Sequence, residues 1–226
     1  MDLIKTPVTR NEPAAASDAR STRERILDAA EDLFARQGYF AATIRGITQA
    51  AEVELSLSRY YFGSKDELFR QVIARRADTI CDMLDASLAQ VSEGRRPELH
   101  DVVEAMIRPA TERLASGDAG WRNYLRLLAG FGLLNERHDL LSPWRERYAP
   151  TATRYRLALA AAMPDAPEVV VAWGLHFLHS LLGHALLDVG VTRYVAGEVE
   201  VPVRWAELRE QLVRHVVGGL RAQAAG

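Results

Sequence analysis

The 226-residue chain is 48% hydrophobic and 26% charged, the proportions of a globular protein and not of a disordered or fibrous one. A formal charge of −2 excludes a surface that is basic throughout, so any nucleic-acid binding has to come from a local patch. A single cysteine, Cys81, excludes a disulfide framework or a cysteine metal cluster within one chain.

The length suits one small N-terminal domain followed by a larger one. Residues 1–76 hold 12 Lys+Arg against 11 Asp+Glu, and the remainder holds 16 against 19, so the charge is divided almost evenly. The opening residues have no apolar core of signal-peptide length, and no uninterrupted run approaches the roughly 18 apolar residues of a bilayer span. A cytoplasmic protein with no membrane partner is expected.

Residues 1–19 mix Pro, Ala, Ser, Asn and charges without periodicity, which predicts a disordered arm whose Lys5 and Arg10, with Arg20 just beyond, can touch a phosphate backbone. Ser21 to Glu24 has the spacing of a capping box, and Ile26, Leu27, Ala30, Leu33 and Phe34 then form a stripe of helical period. Gly38 is a fitting stop, because glycine takes a left-handed conformation without penalty. Thr43 is a fitting N-cap for the next helix. Ile44, Ile47 and Ala51 share one face of it, and after a break Val53, Leu57 and Tyr61 continue the inward stripe, leaving Ser56, Ser58, Arg59 and Tyr60 largely outside. So short a pair buries too little to fold alone and needs flanking helices. This is the plan of a helix-turn-helix, whose second helix enters the DNA major groove. Ser64 to Glu67 is another capping box, opening a long helix to about Ser92 that the Gly94–Pro97 stretch ends. Further helices are predicted over Pro97 to Ser116, Trp121 to Leu134, His138 to Met163 with a break or start at Pro143, 166–189 and 204–221. The connection from Gly190 to Pro202 has no assignable pattern.

The order of helix, glycine turn and helix pair, closed by Tyr60-Tyr61-Phe62-Gly63-Ser64-Lys65-Asp66-Glu67-Leu68, resembles the TetR family of transcriptional regulators. The resemblance covers roughly residues 21–75. It implies an all-α chain: a three-helix DNA-binding domain over 20–67, with its helix-turn-helix at about 42–61, and a larger helical ligand-binding and dimerisation domain over 68–226. Two positions depart from the family pattern. Glu52 stands where the turn glycine is usual, and Arg59 stands where a tyrosine is common.

Chemistry marks the same head. Arg59 can bond a guanine edge or a phosphate through paired donors, and Ser56, Ser58, Tyr60 and Tyr61 carry hydroxyls for bases or phosphates. Leu55 offers an apolar contact for a thymine methyl. Lys65 sits in the first turn of the long helix, where free amides and the helix dipole attract phosphate, and Thr43 and Arg45 begin the preceding helix in the same way.

In the second domain Trp121, Tyr124, Leu128, Trp144, Tyr148, Tyr155, Trp173, His176 and Phe177 are candidates to line an apolar cavity with a few polar groups. The same residues also suit a plain helical core. His176 and His179 share a helix face and raise an alternative, a helical metal-binding protein or enzyme. His184 lies about 140° round the helix from His179, so the three cannot meet at one ion. No metal, cofactor or catalytic constellation is expected. Leu208, Leu212, Val216 and Gly219, with the patch at Gly183, Ala185 and Leu186, mark the last two helices for a homodimer. The resemblance implies a repressor of a near-palindromic operator, released by a small-molecule effector. The second domain loosely resembles the subgroup that takes fatty acids and acyl-CoA, so an apolar or acyl effector is expected.

Overall fold

The structure is a computed structural model that describes residues 14–134, 137–187, 197 and 204–224. Every regular element among the described residues is helical, as the sequence predicts.

Helix α1 (Ala14–Ala41) begins well before Ser21, so the Ser21–Glu24 spacing lies inside a helix and does not cap it. The alanine run from Ala14 has the highest helical propensity and carries the helix back into the expected arm. Residues 1–13 of that arm lie outside the described residues. Gly38 interrupts α1 with φ 77°, the break its position predicts. Thr43 caps α2 (Ile44–Ala50) by accepting a hydrogen bond from the Gly46 amide at 3.1 Å. Between α2 and α3 (Leu55–Phe62), Glu52 adopts φ 53°, and Arg25 donates to its carbonyl oxygen at 2.9 Å. The left-handed turn is therefore kept without glycine, at a cost of roughly 1–2 kcal/mol. Ser64 caps α4 (Lys65–Ala74) through the Glu67 amide at 3.1 Å.

The long helix expected to reach Ser92 is instead two. It breaks at Arg75 and Arg76 before α5 (Ala77–Val91) resumes. Both arginines turn back to carboxylates of α1: Arg75 to Glu24 at 2.7 Å and to Asp28 at 2.5 Å, and Arg76 to Glu31 at 3.3 Å. Glu31 is buried, and that burial, working against the nearby Arg76, raises its carboxyl above the ordinary range.

Helix α6 (Leu99–Ala115) and helix α7 (Ala119–Ala129) follow, the latter capped by Asp118. The chain then tightens into two short 3₁₀ turns, Gly130–Leu134 and His138–Leu141, where one α-helix to Leu134 was expected. Helix α8 (Ser142–Ala162) takes Pro143 in its first turn, where proline costs no hydrogen bond. Helices α9 (Glu168–Leu187) and α10 (Trp205–Ala224) complete the order. Most of the Gly190–Pro202 connection lies outside the described residues.

Two cores result. The first joins α1 to α4 through Ile26, Phe34, Ile47, Phe62, Leu68 and Phe69, and it runs past residue 67 to Val72 and Ile73. It also takes in Leu127, Leu134, Leu140 and Leu141 from the end of α7 and the 3₁₀ turns. The second fills the space among α5, α6, α8, α9 and α10, centred on Met106, Tyr155, Leu159 and Val216.

Candidate nucleic-acid interface and effector cavity

Thr43, Arg45, Leu55, Ser56, Arg59 and Tyr60 are all exposed, on α2 and α3 or at the cap between them and α1. Tyr61 is half-buried, with its ring edge-on to Tyr60 at 5.0 Å. Ser58 is not on the outer face. It is 2% exposed, because Phe62 lies one turn on and inserts into the core, drawing the Ser58 face inward with it. The stripe expected at Val53, Leu57 and Tyr61 is consequently half-buried rather than central. Ser58 therefore leaves the set of DNA contacts. Lys65 is partly engaged: its Nζ lies 3.4 Å from the Phe40 carbonyl oxygen and 4.5 Å from the Tyr39 ring centre, and burial lowers its pKa. Gln49, one turn after Arg45, is exposed on α2, and the Arg45 spacing was the signal for it.

The second domain holds a cavity of about 820 Å³ lined by residues of α5, α6, α7, α8 and α9 together with Phe131. Of the aromatic candidates, Trp144 and Tyr148 line it, and Leu128 lies beside them. Tyr124 and Tyr155 do not. Both are fully buried, Tyr124 donating to the Ile73 carbonyl at 2.7 Å and Tyr155 to the carbonyls of Leu84 and Ala105 at 2.8 and 3.0 Å. Their hydroxyls tie helices together, and burial pushes their pKa values up. Trp121 is also core, held between the guanidinium groups of Arg76 and Arg113 at 5.2 and 4.9 Å from its ring centre.

Trp173, His176 and Phe177 point the other way, onto the outer face of α9. Trp173 and Phe177 stack at 5.5 Å and remain 53% and 44% exposed. With Val169 and Leu181 they form an apolar stripe at four-residue spacing. His179, which the sequence raised only as half of a metal pair, lines the cavity instead. Its Nδ1 lies 2.7 Å from the Leu175 carbonyl oxygen and its Nε2 is bonded to the Tyr148 hydroxyl. Neither nitrogen is left for an ion, and His176 packs against Trp173 and Phe177. Helix α9 is long and apolar enough by composition to cross a bilayer, which counting uninterrupted apolar runs missed; it packs on α7, α8 and α10.

One segment joins cavity and head. Phe131 and Trp144 face the cavity, while Leu134, Leu140 and Leu141 between them sit in the first core. Arg137 reaches Asp66 at 2.5 Å, Asp66 accepts from the Tyr39 hydroxyl, and Arg70 reaches Asp139 at 3.1 Å. The Tyr39 hydrogen bond and then the Arg137 bond hold the Asp66 carboxyl below the usual range.

Two family profiles match this chain. That of bacterial regulatory proteins of the tetR family matches residues 26–72, and that of the tetracyclin repressor-like C-terminal domain matches residues 104–219. The chain belongs to the TetR family. It is a DNA-binding transcription regulator of helix-turn-helix type. Among relatives, the transcriptional repressor Rv3405c of Mycobacterium tuberculosis is 27% identical over 210 residues, covering 92% of this chain and 94% of the relative. The transcriptional repressor NicS of Pseudomonas putida is 32% identical over 98 residues, covering 43% of this chain and 42% of its own. In fold, this TetR-family chain is similar to the fatty acid degradation regulator FadR of Bacillus halodurans, with TM-score 0.58 and 15% identity over 88% of this chain and 96% of that one. A transcriptional regulator of Aquifex aeolicus gives TM-score 0.56 and 19% identity over 86% and 97%. At such identities the likeness concerns the fold alone.

Proposed function

We propose that this regulator is a repressor that binds a near-palindromic operator as a homodimer and leaves it when a small effector fills the 820 Å³ cavity. The observation that carries this reading is the segment from Phe131 to Trp144, which is cavity wall at both ends and head core in the middle. An effector that favours a different setting of that wall shifts the heads, because ligand binding moves an equilibrium by its difference in affinity for the two states.

The dimer forms through α9 and α10. Only 22% of the apolar stretch of α9 is buried within one chain, and its Val169, Trp173, Phe177 and Leu181 stripe is a face of the kind that a second copy covers. Two heads then present Thr43, Arg45, Leu55, Ser56, Arg59 and Tyr60, with Tyr61 and Lys65 behind them, to successive major grooves. The setting is the cytoplasm, where the operator is. The family is one of transcription regulators, and no catalytic step is assigned.

The test is fluorescence anisotropy of DNA fragments from around the protein's own gene. Sequence-selective affinity that weakens steeply with salt is expected. Equal affinity for scrambled fragments overturns the reading.

A further inference from the structure

The described wall of the cavity contains no lysine, arginine, aspartate or glutamate. A carboxylate or ammonium placed there would lose its water with no fixed counter-charge to replace it. The polar groups present are Tyr148, His179, Ser180 and His184. Their hydrogens are largely committed. The Leu175 carbonyl oxygen can only accept, so Nδ1 of His179 carries the ring proton and Nε2 is an acceptor. The Tyr148 hydroxyl therefore gives its hydrogen to Nε2. Desolvation lowers the pKa of His179 and raises that of Tyr148, which favours the neutral form of each. Ser180 spends its hydrogen on the His176 carbonyl at 3.0 Å. What Tyr148 and Ser180 still offer is oxygen lone pairs.

The rest of that wall is apolar, mostly aliphatic, with its flat aromatic surface supplied by Phe131 and Trp144 next to Tyr148. Trp144 stacks on Tyr148 with ring centres 5.1 Å apart and planes 13° from parallel, and Phe131 meets Trp144 at 6.1 Å and 68°. A volume of about 820 Å³ lies within the range of about 300–1,000 Å³ that small-molecule sites occupy.

We propose that the effector is an uncharged, largely apolar molecule carrying a hydroxyl donor, of the hydrophobic phenol class, and that Tyr148 and His179 select it. This rests on the reading of the cavity as the effector site. The ligand hydroxyl donates to the Tyr148 oxygen while its ring packs on Trp144 and Phe131. His179 is a positioning residue here: by taking the tyrosine hydrogen it turns Tyr148 into an acceptor. Of the apolar or acyl effector expected from the sequence, this proposal takes the apolar alternative.

The experiment compares three probes of one ring system on the full chain by titration calorimetry: β-naphthol, its methyl ether and β-naphthoate. The naphthol is expected to bind about tenfold more tightly than the ether, which cannot donate, and more tightly than the naphthoate. In His179→Leu the Tyr148 hydrogen is freed, so the naphthol-to-ether ratio should fall toward one, a change that lost folding does not mimic. Tyr148→Phe should lower the ratio as well. Naphthoate binding at least as tightly as naphthol overturns the proposal. So does equal binding of naphthol and ether by the wild type, or binding of none of the three. Release of a bound operator fragment is read separately. Selective naphthol binding without release overturns the release mechanism and leaves the ligand class standing; release by carboxylates alone does the reverse.

Discussion

Arg137, between the two 3₁₀ turns, sets its guanidinium 2.5 Å from the carboxylate of Asp66 in the first turn of α4. The same guanidinium holds Asp139 at 3.0 Å, and Asp139 in turn meets Arg70. These groups are open to solvent, so they add little to stability, but they fix how the cavity segment addresses the DNA head.

Replacing Arg137 by Ala or Asp66 by Asn should loosen that address. For any ligand that frees the wild-type protein from its operator, the half-release concentration is expected to rise by about threefold or more, with ligand-free operator affinity retained. Anisotropy titrations check this, and the double variant should fall short of the sum of the two single effects because the residues share one interaction.

On the recognition helix, Arg59→Ala is expected to weaken specific operator binding by about 1–3 kcal/mol while leaving the thermal midpoint in place. Ser58→Ala provides the contrast. Because Ser58 is buried beside Phe62, its replacement should leave both operator affinity and the salt slope unchanged, and a loss of affinity on Ser58→Ala would return that hydroxyl to the DNA surface.

Glu52→Gly should stabilise the head. The residue sits at φ 53°, a conformation costing a non-glycine side chain roughly 1–2 kcal/mol, part of which glycine gives back through its looser unfolded chain. A net gain of about 0.5–1 kcal/mol in urea unfolding is expected. The Arg25 bond survives the change because it is made to the Glu52 backbone oxygen.

Glu31 supplies a pH test. Its folded pKa is raised, by burial first, so the stability linked to its proton is fully present below the unfolded value of 4.5 and is lost as pH rises through the folded value. Asp66 and Asp139 have the opposite sign: their pKa values are lowered, so their contribution is present above 3.8 and fades as pH falls through the folded values. Glu31→Gln should therefore cost nothing near neutrality, rather than the roughly 3–5 kcal/mol lost when a net-stabilising buried pair is broken, and wild type should gain on the variant toward pH 4.5. Chemical denaturation across pH decides.

Much of the head was legible because its signals are local. Thr43 and Ser64 cap the helices they were expected to cap, Gly38 breaks where it was expected to, and Ile26, Phe34 and Ile47 fill the core their periodicity assigned. Ser58 was misplaced because one apolar stripe in an eight-residue helix fixes its rotation only to within a residue, and the bulk of Phe62 decided it. The break at Arg75 was invisible for a different reason: the carboxylates that its two arginines meet, Glu24, Asp28 and Glu31, lie far back in the chain. The cavity was legible by composition but not by address. Aromatic spacing cannot tell a helix face turned to a cavity from one left on the outside of the chain, and so Trp173 and Phe177 were grouped with Trp144 and Tyr148.

The break at Arg75 and Arg76 also changes how motion is passed on. Helix α5 supplies Ile80 and Leu84 to the cavity wall, whereas α4 is clamped to α1 by the two arginines and belongs to the head. An unbroken rod would hand any displacement of the wall to the DNA face as a push along its axis. With a joint at residues 75 and 76, the same displacement becomes a tilt of a ten-residue arm about 15 Å long, given 1.5 Å per residue. A tilt of about 10° carries the far end of such an arm about 2.6 Å. In the dimer proposed above, the two-fold axis would apply that displacement with opposite sense at each half-site, doubling the effect of a small swelling of the cavity where the two heads must match the groove spacing.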